Sequence, residues 1–143
     1  MLRFVLPGGV LLFAVVGCGS GGKVAPVSGV ITLNGQPAAG IAVSFEPIAT
    51  EGNNVPGPSA FGVSGPDGRY TTKIVGGEMN GATTGKNRVK FCAYIDPAEI
   101  LEDGTVKTKP KVKVPARYWS DPKIEFDVPV KGTSSADFAL TTP

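Results

Sequence analysis

Short runs in which apolar and polar side chains alternate recur along the chain from residue 27 to residue 140. Side chains of a β-strand point alternately to opposite faces, so each run has one apolar face. Such a chain buries these faces by stacking two sheets, and we predict an all-β fold, a seven-stranded antiparallel β-sandwich. The alternating members of the seven runs are Val27, Gly29, Ile31 and Leu33; Ile41, Val43 and Phe45; Phe61 and Val63; Tyr70, Thr72 and Ile74; Val89, Phe91, Ala93 and Ile95; Ile124, Phe126, Val128 and Val130; and Phe138 and Leu140.

Turn-forming residues separate these runs. Asn34-Gly35 is the strongest short signal for a hairpin, and Asp67-Gly68 predicts a turn rather than part of a calcium site. The 143 residues include 20 glycines and 13 prolines, yet 41% are hydrophobic, which is enough for a packed core. One short helical turn is expected near residues 97–103, because Asp96 supplies an N-cap and a proline follows it.

The N-terminus has the pattern of a targeting signal. A positively charged start precedes an apolar stretch that is too short to span a bilayer. Val15-Val16-Gly17-Cys18 then resembles the lipobox of bacterial lipoproteins. The resemblance implies cleavage before Cys18 and acylation of its sulfur and of its new amino group. The alternative is an ordinary signal peptide followed by a coincidental cysteine.

This resemblance sets the expected organisation and location. We expect a lipoprotein signal peptide over residues 1–17, the lipidated Cys18 with a flexible tether over residues 18–23, and one folded domain over residues 24–143. The acyl chains on Cys18 would insert into a lipid bilayer. By the sorting pattern of bacterial lipoproteins, Gly19 implies delivery to the outer membrane, facing the periplasm or the cell surface.

Few residues are candidates for chemistry. The chain has no histidine, which removes the commonest general base and the commonest zinc ligand, so we expect no catalytic residue, no metal and no cofactor. Cys92 is interpreted as a small packing residue, with a reactive thiol as the alternative. Residues 80–87 resemble a phosphate-binding loop only superficially and are interpreted as a flexible inter-strand loop. A net charge of +2 argues against a nucleic-acid partner.

Several motifs follow one another in a fixed order over residues 26–141. They are Val27-x-Gly29-x-Ile31-x-x-Asn34-Gly35-x-Pro37, Ala39-Gly40-x-x-Val43-x-Phe45-x-Pro47, Ser64-x-x-Asp67-Gly68-x-Tyr70, Gly85-Lys86-x-x-Val89, Val114-Pro115-Ala116-Arg117-Tyr118 and Ala136-Asp137-Phe138-Ala139-Leu140. Together they resemble the carboxypeptidase-regulatory-like, transthyretin-like domain of a small bacterial lipoprotein branch common in planctomycete-like genomes. The resemblance implies a seven-stranded Greek-key β-sandwich and no particular activity. Asn87 departs from the pattern, which often has an aromatic residue there.

A basic segment, residues 107–113, is the most distinctive polar feature of the sequence. Its lysines alternate with other residues and would share one face of an extended chain. In the simpler interpretation, the lysines keep this segment soluble as an edge strand or loop, or they pair with the nearby acidic residues. The alternative is a basic stripe that contacts anionic envelope polymer or lipid headgroups. The charged residues of this possible binding surface are Lys107, Lys109, Lys111, Lys113 and Arg117.

Tyr118 and Trp119 complete the possible binding surface. Trp119 is the only tryptophan. Such a pair is expected to pack over the edge of the core with its polar tips in water. The alternative is that the rings stack on a sugar.

Two functions remain open. The first is a non-catalytic, lipid-anchored envelope protein that acts as a structural or protein-docking module. The second is a module that binds envelope glycan or anionic polymer through Trp119, Tyr118 and the basic segment. An exposed Trp119 with the lysines clustered beside it on one surface would favour the second function. A buried Trp119 with the lysines paired to the acidic residues between positions 96 and 103 would favour the first.

Overall fold

The computed structural model describes residues 22–52 and 54–143, so the predicted signal peptide, Cys18 and most of the tether lie outside the described residues. Strands dominate, and two single-turn 3-10 helices are the only helical segments in the described ranges, which confirms the all-β prediction. The strands are β1 (Val24–Ala25), β2 (Ser28–Leu33), β3 (Gln36–Pro37), β4 (Ile41–Pro47), β5 (Ala60–Val63), β6 (Arg69–Thr71), β7 (Lys73–Ile74), β8 (Ala82–Thr83), β9 (Gly85–Ala93), β10 (Glu125–Val128) and β11 (Phe138–Leu140). The helices are η1 (Pro97–Glu99) and η2 (Ala116–Tyr118).

The larger sheet has five strands in the order β10-β9-β4-β5-β7, and all its pairings are antiparallel. Its centre is the β4–β9 pair, which runs from Ile41 opposite Ala93 to Pro47 opposite Asn87. In the smaller sheet, β2 pairs with β3, β6 and β11, and β1 pairs separately with β8. The β11–β2 pair is parallel, which departs from the expectation of purely antiparallel pairing.

Side chains from both sheets share one hydrophobic core. Phe45 of β4 and Phe91 of β9 are fully buried. Phe138 of β11 meets both rings from the other sheet, with centroid distances of 6.2 Å to Phe45 and 5.0 Å to Phe91. Such edge-on aromatic contacts add to the stability that area burial provides. The alternation predicted for β2, β4 and β9 therefore faces the core as expected.

The buried and exposed faces of β5 are the reverse of those predicted. Ala60 and Gly62 face the core, whereas Phe61 is 41% exposed and Val63 is half-buried. The cause is the close approach of β6, because a Cβ on Gly62 would lie 2.2 Å from the carbonyl oxygen of Thr71. Only glycine fits between the two strands, and this fixes which face of β5 is buried. Val130 is likewise exposed, because β10 ends at Val128.

The local turns follow the sequence closely. Asn34 and Gly35 both have positive φ, as a tight hairpin turn between β2 and β3 requires. Helix η1 begins after Asp96, whose carboxylate accepts the N–H of Ala98 at 2.9 Å. It ends at Glu99, and the chain then folds into a small hairpin, so the helical turn is shorter than the predicted 97–103. The second helical turn, η2, was not predicted.

Residues 80–87 form structure rather than the predicted flexible loop. Within them, β8 pairs with β1, and β9 begins at Gly85. Asn87 is fully buried, and its side-chain amide donates to the carbonyl oxygens of Thr83 at 2.9 Å and Gly85 at 2.8 Å. The asparagine therefore ties the β8–β9 corner together from inside the protein.

Candidate functional site

Helix η2 separates the two aromatic side chains that the sequence places together. Pro115 starts the turn, and the N–H groups of Trp119 and Ser120 both donate to the carbonyl oxygen of Ala116, at 3.0 and 2.8 Å. Tyr118 turns inward and meets Phe91 edge-on, with 6.2 Å between ring centroids. Trp119 turns outward and is 52% exposed. The packing prediction holds for Tyr118 and is wrong for Trp119.

A clamp to the C-terminal segment holds η2 in place. The hydroxyl of Tyr118 accepts the N–H of Thr141 at 2.9 Å. The Arg117 guanidinium stacks on the Tyr118 ring, 4.7 Å from its centroid, and donates to the carbonyl oxygen and hydroxyl of Thr141. Burial acts to raise the pKa of Tyr118, but hydrogen bonds with Thr141 and the Arg117 charge outweigh it and lower that pKa. Tyr118 and Arg117 thus position the turn.

The outer face of the larger sheet lies beside Trp119. Small side chains lie at the centre of this face. Ala42 of β4 is opposite Cys92 of β9, and Ser44 of β4 lies between Lys90 of β9 and Phe61 of β5. Small residues at these positions leave a shallow floor between taller neighbours. The floor exists because the polar positions of the alternating β4 and β9 runs face outward.

An apolar groove of about 360 Å³ lies above this floor. Trp119 borders it, and the rings of Phe61 and Tyr94, 6.5 Å apart, also line it. All three aromatic side chains are exposed. Exposed aromatic rings around a shallow apolar surface are suited to contact a flat ligand with an apolar face.

A polar groove of about 570 Å³ shares Trp119 and Lys90 with the apolar groove. Ion pairs order several of its charged side chains: Lys90 contacts Glu46 at 2.8 Å, and Lys123 contacts Asp121 at 3.0 Å. The groove offers both hydrogen-bond donors and acceptors with a mixture of charges. Its residues are Arg88, Lys90, Trp119, Ser120, Asp121, Pro122, Lys123 and Glu125.

The basic segment lies apart from both grooves. Residues 107–113 form bends rather than a strand. Val112 and Val114 pack against the core, and the four lysines are exposed. Among the described residues these lysines form no ion pair, and Glu99 instead accepts the hydroxyl of Thr108 at 2.8 Å. The lysines therefore do not pair with the acidic residues. Their exposure on a loop agrees with the other part of the simpler interpretation, a loop that its lysines keep soluble. Neither groove is lined by Lys107, Lys109, Lys111, Lys113 or Arg117.

Cys92 was predicted to be a packing residue and is instead exposed on the floor of the apolar groove. Neighbouring side chains still remove part of its water, and this desolvation raises the pKa of the thiol. A raised pKa lowers the thiolate fraction at neutral pH, which argues against a nucleophilic role.

Sequence reasoning found one member of this surface, Trp119, and missed its partners. The signal for Arg88, Lys90 and Tyr94 was their even spacing along β9 and the residue that follows it, because alternate residues of a strand point to the same face. The sequence contained no such signal for Phe61, because the close approach of β6 decides which side chains of β5 face outward. Nothing in the sequence joins η2 to the outer face of β9.

Residues 22–52 and 54–143 contain no cluster of three or more histidine, cysteine, aspartate or glutamate side chains placed to hold a metal ion. In the same ranges, no helix is long and apolar enough to cross a membrane. Comparisons with protein-family models, with curated proteins and with solved structures find no match to this chain.

Proposed function

We propose that this chain is a non-catalytic, lipid-anchored protein of the cell envelope that binds a glycan at Trp119. The domain would be a Greek-key β-sandwich of the transthyretin-like type. Most strands lie in two sheets, of five and of four strands, and side chains from both sheets contribute to one core, which supports this fold. Acylation at Cys18 would provide the anchor, as the resemblance to a lipobox implies.

The exposed Trp119 between two grooves carries the proposal. One face of a sugar ring is apolar enough to stack on an indole, while its hydroxyl groups need hydrogen-bonding partners. The apolar groove offers Trp119, Phe61 and Tyr94 for stacking, and the polar groove offers charged side chains beside the same indole. Both requirements are therefore met around one residue.

The charges favour a neutral or weakly charged glycan over a strongly anionic polymer. Arg88, Lys90 and Lys123 are balanced in the polar groove by Asp121 and Glu125, and Glu46 already pairs with Lys90. An anionic chain would meet carboxylates there. The basic segment adds nothing to this site, because it lies outside both grooves.

A fluorescence and pull-down experiment tests the proposal. Trp119 is the only tryptophan, so its emission reports directly on this surface. The acylated chain is mixed with peptidoglycan, with soluble oligosaccharides from it, and with dextran sulfate as an anionic probe. We expect binding to peptidoglycan glycan with a blue shift of the emission, and little change with salt. Trp119→Ala should weaken binding about tenfold or more, as for other aromatic anchors.

Lys109→Ala is the matched control, because it removes an exposed side chain of the basic segment without touching either groove. Binding that is lost in Lys109→Ala and kept in Trp119→Ala would contradict the glycan site and favour an anionic polymer. If no glycan binds and one envelope protein is captured through the same surface, the chain is a docking module.

A further inference from the structure

Aliphatic side chains are exposed at one end of the two sheets. Four of them are among the most exposed large hydrophobic residues of the described chain: Val55, Val75 and Met79 are 58–59% exposed, and Val130 is 72% exposed. None of the four lines either groove around Trp119. The surface around Trp119 therefore does not explain them.

The strand registers place all four residues at the same end, called here the tether end. Strand β4 finishes there, where Pro47 pairs with Asn87, and the loop that carries Val55 follows. Strand β5 starts at this end, and Ala60 pairs with Ile74, directly before the turn that carries Val75 and Met79.

The fourth aliphatic residue reaches the tether end on β10. Val128 pairs with Gly85, the first residue of β9, and Val130 follows two residues later. Three separate loops thus bring exposed aliphatic side chains to one end of the molecule. By contrast, the exposed Ile100 follows the far end of β9.

The chain also leaves towards Cys18 from this end. The carbonyl oxygen of Lys23 accepts the N–H of Thr84 at 2.7 Å, directly before β9. Gly57 lies against Gly22, since a Cβ on Gly57 would be 3.3 Å from the Gly22 nitrogen. Cys18 lies four positions before Gly22 in the sequence. Even a fully extended chain would therefore keep an acylated Cys18 within about 14 Å of Gly22.

We propose that the tether end rests on the lipid bilayer, with Val55, Val75, Met79 and Val130 inserted into its interface. This proposal rests on the acylation of Cys18 that forms part of the proposed function. With acyl chains held in the bilayer, the short tether brings the tether end to the headgroups. Aliphatic tips on three loops then bury apolar area at the headgroup–acyl boundary, as amphipathic segments do.

Charges at the tether end are balanced, so the contact is apolar rather than electrostatic. Lys73 contacts Glu78 at 3.1 Å, and Lys86 contacts Glu125 at 3.9 Å. The other charged residues of these loops and strand ends also balance, with Lys23 and Lys131 against Glu51 and Asp127. We therefore expect insertion to be insensitive to salt and to the fraction of anionic lipid. The orientation also leaves the Trp119 surface, on the side of the larger sheet, open to the envelope.

Site-specific fluorescence in vesicles tests this orientation. The acylated full chain, carrying Cys92→Ser, is reconstituted into phosphatidylethanolamine–phosphatidylglycerol vesicles. Single cysteines, Val130→Cys or Met79→Cys, are labelled with an environment-sensitive dye, and Ile100→Cys is the matched control at the opposite end. We expect labels at positions 130 and 79 to be blue-shifted and quenched severalfold more strongly by nitroxide lipids than the label at position 100.

Flotation of the same samples separates the two proposals. If the chain floats with the vesicles but all three labels stay in water, the tether end does not contact lipid, and its aliphatic tips are left for a protein partner. If the unlabelled chain does not float, the prediction that Cys18 is acylated is wrong, and the proposed membrane contact is then wrong as well. A blue shift lost in high salt would contradict the apolar contact.

Discussion

The hydroxyl of Tyr118 accepts the backbone N–H of Thr141 at 2.9 Å, joining η2 to the residue that follows β11. This bond links a turn next to the larger sheet with the C-terminal strand of the smaller sheet. Because Trp119 is the next residue, the orientation of the exposed indole depends on a contact made on the other side of the turn. The candidate glycan surface is thus held by a residue that does not line it.

Substitutions at Tyr118 should separate this clamp from core packing. Tyr118→Phe removes the hydrogen bond and keeps the ring on Phe91, so we expect a loss of about 1 kcal/mol of unfolding free energy. Tyr118→Ala also removes the ring, and we expect about 2–3 kcal/mol. Urea titration measures both. Equal losses for the two variants would show that the ring contact with Phe91 contributes nothing.

Gly29 should be the least replaceable glycine of the smaller sheet. A Cβ at this position would lie 2.0 Å from the carbonyl oxygen of Ala136. Gly29→Ala must therefore push Ala136 away from β2, and we expect about 3 kcal/mol of destabilisation. Gly77→Ala is the control, because its Cβ would meet only Ile74 at 3.5 Å. A urea midpoint for Gly29→Ala as high as that of the control would contradict the close approach.

Properties set within one strand were predictable from the sequence. Alternation on β4 identified Ile41, Val43 and Phe45 as buried, because side-chain direction there depends on the strand alone. The Asn34-Gly35 hairpin followed from residues that accept positive φ. Such features need no knowledge of what packs against them.

Properties set by a neighbouring element were not predictable. Phe61 faces outward because β6 leaves room only for Gly62 on the inner side of β5. Trp119 is exposed and Tyr118 half-buried because η2 turns between them, and no pattern predicted that turn. The two grooves require η2, β5 and β9 together, so their residues could not be grouped from spacing alone.

Asn87 should tolerate a neutral truncation better than a charge. Its amide donates to two carbonyl oxygens, while its own Oδ1 is buried and has no hydrogen-bond partner among residues 22–52 and 54–143. Asn87→Ala leaves those carbonyls unpaired, at about 1–3 kcal/mol. Asn87→Asp places a carboxylate against the same oxygens, and we expect about 3 kcal/mol or more. Thermal unfolding at neutral pH measures both, and a more stable aspartate variant would contradict the amide orientation.

Tyr70 should make the protein less stable in alkali. Burial, aided by the charge of Asp137, raises the pKa of Tyr70 above its ordinary value, and its hydroxyl donates to the carbonyl oxygen of Ala136 at 2.6 Å. Above about pH 10 the unfolded state loses this proton while the folded state keeps it, so the unfolding free energy falls as pH rises.

Tyr70→Phe isolates this contribution from other groups that titrate in the same range. The variant should be less stable at neutral pH by about 1–3 kcal/mol, because the Ala136 carbonyl loses its donor. Its stability should then fall less steeply with pH, by up to about 1.4 kcal/mol per unit. Parallel slopes for the two proteins above pH 10 would contradict the buried, protonated phenol.

Cys92 provides a chemical test of the apolar groove. In the acylated chain it is the only cysteine with a free thiol, and it lies on the floor beneath Trp119 and Tyr94. A peptidoglycan oligosaccharide seated on these rings should slow the alkylation of Cys92 by iodoacetamide severalfold, and Trp119→Ala should abolish the protection. The control is Met79→Cys in a Cys92→Ser background, whose thiol at the tether end should react at one rate with and without the oligosaccharide. An unchanged Cys92 rate while Trp119 emission reports saturation would confine the ligand to the polar groove.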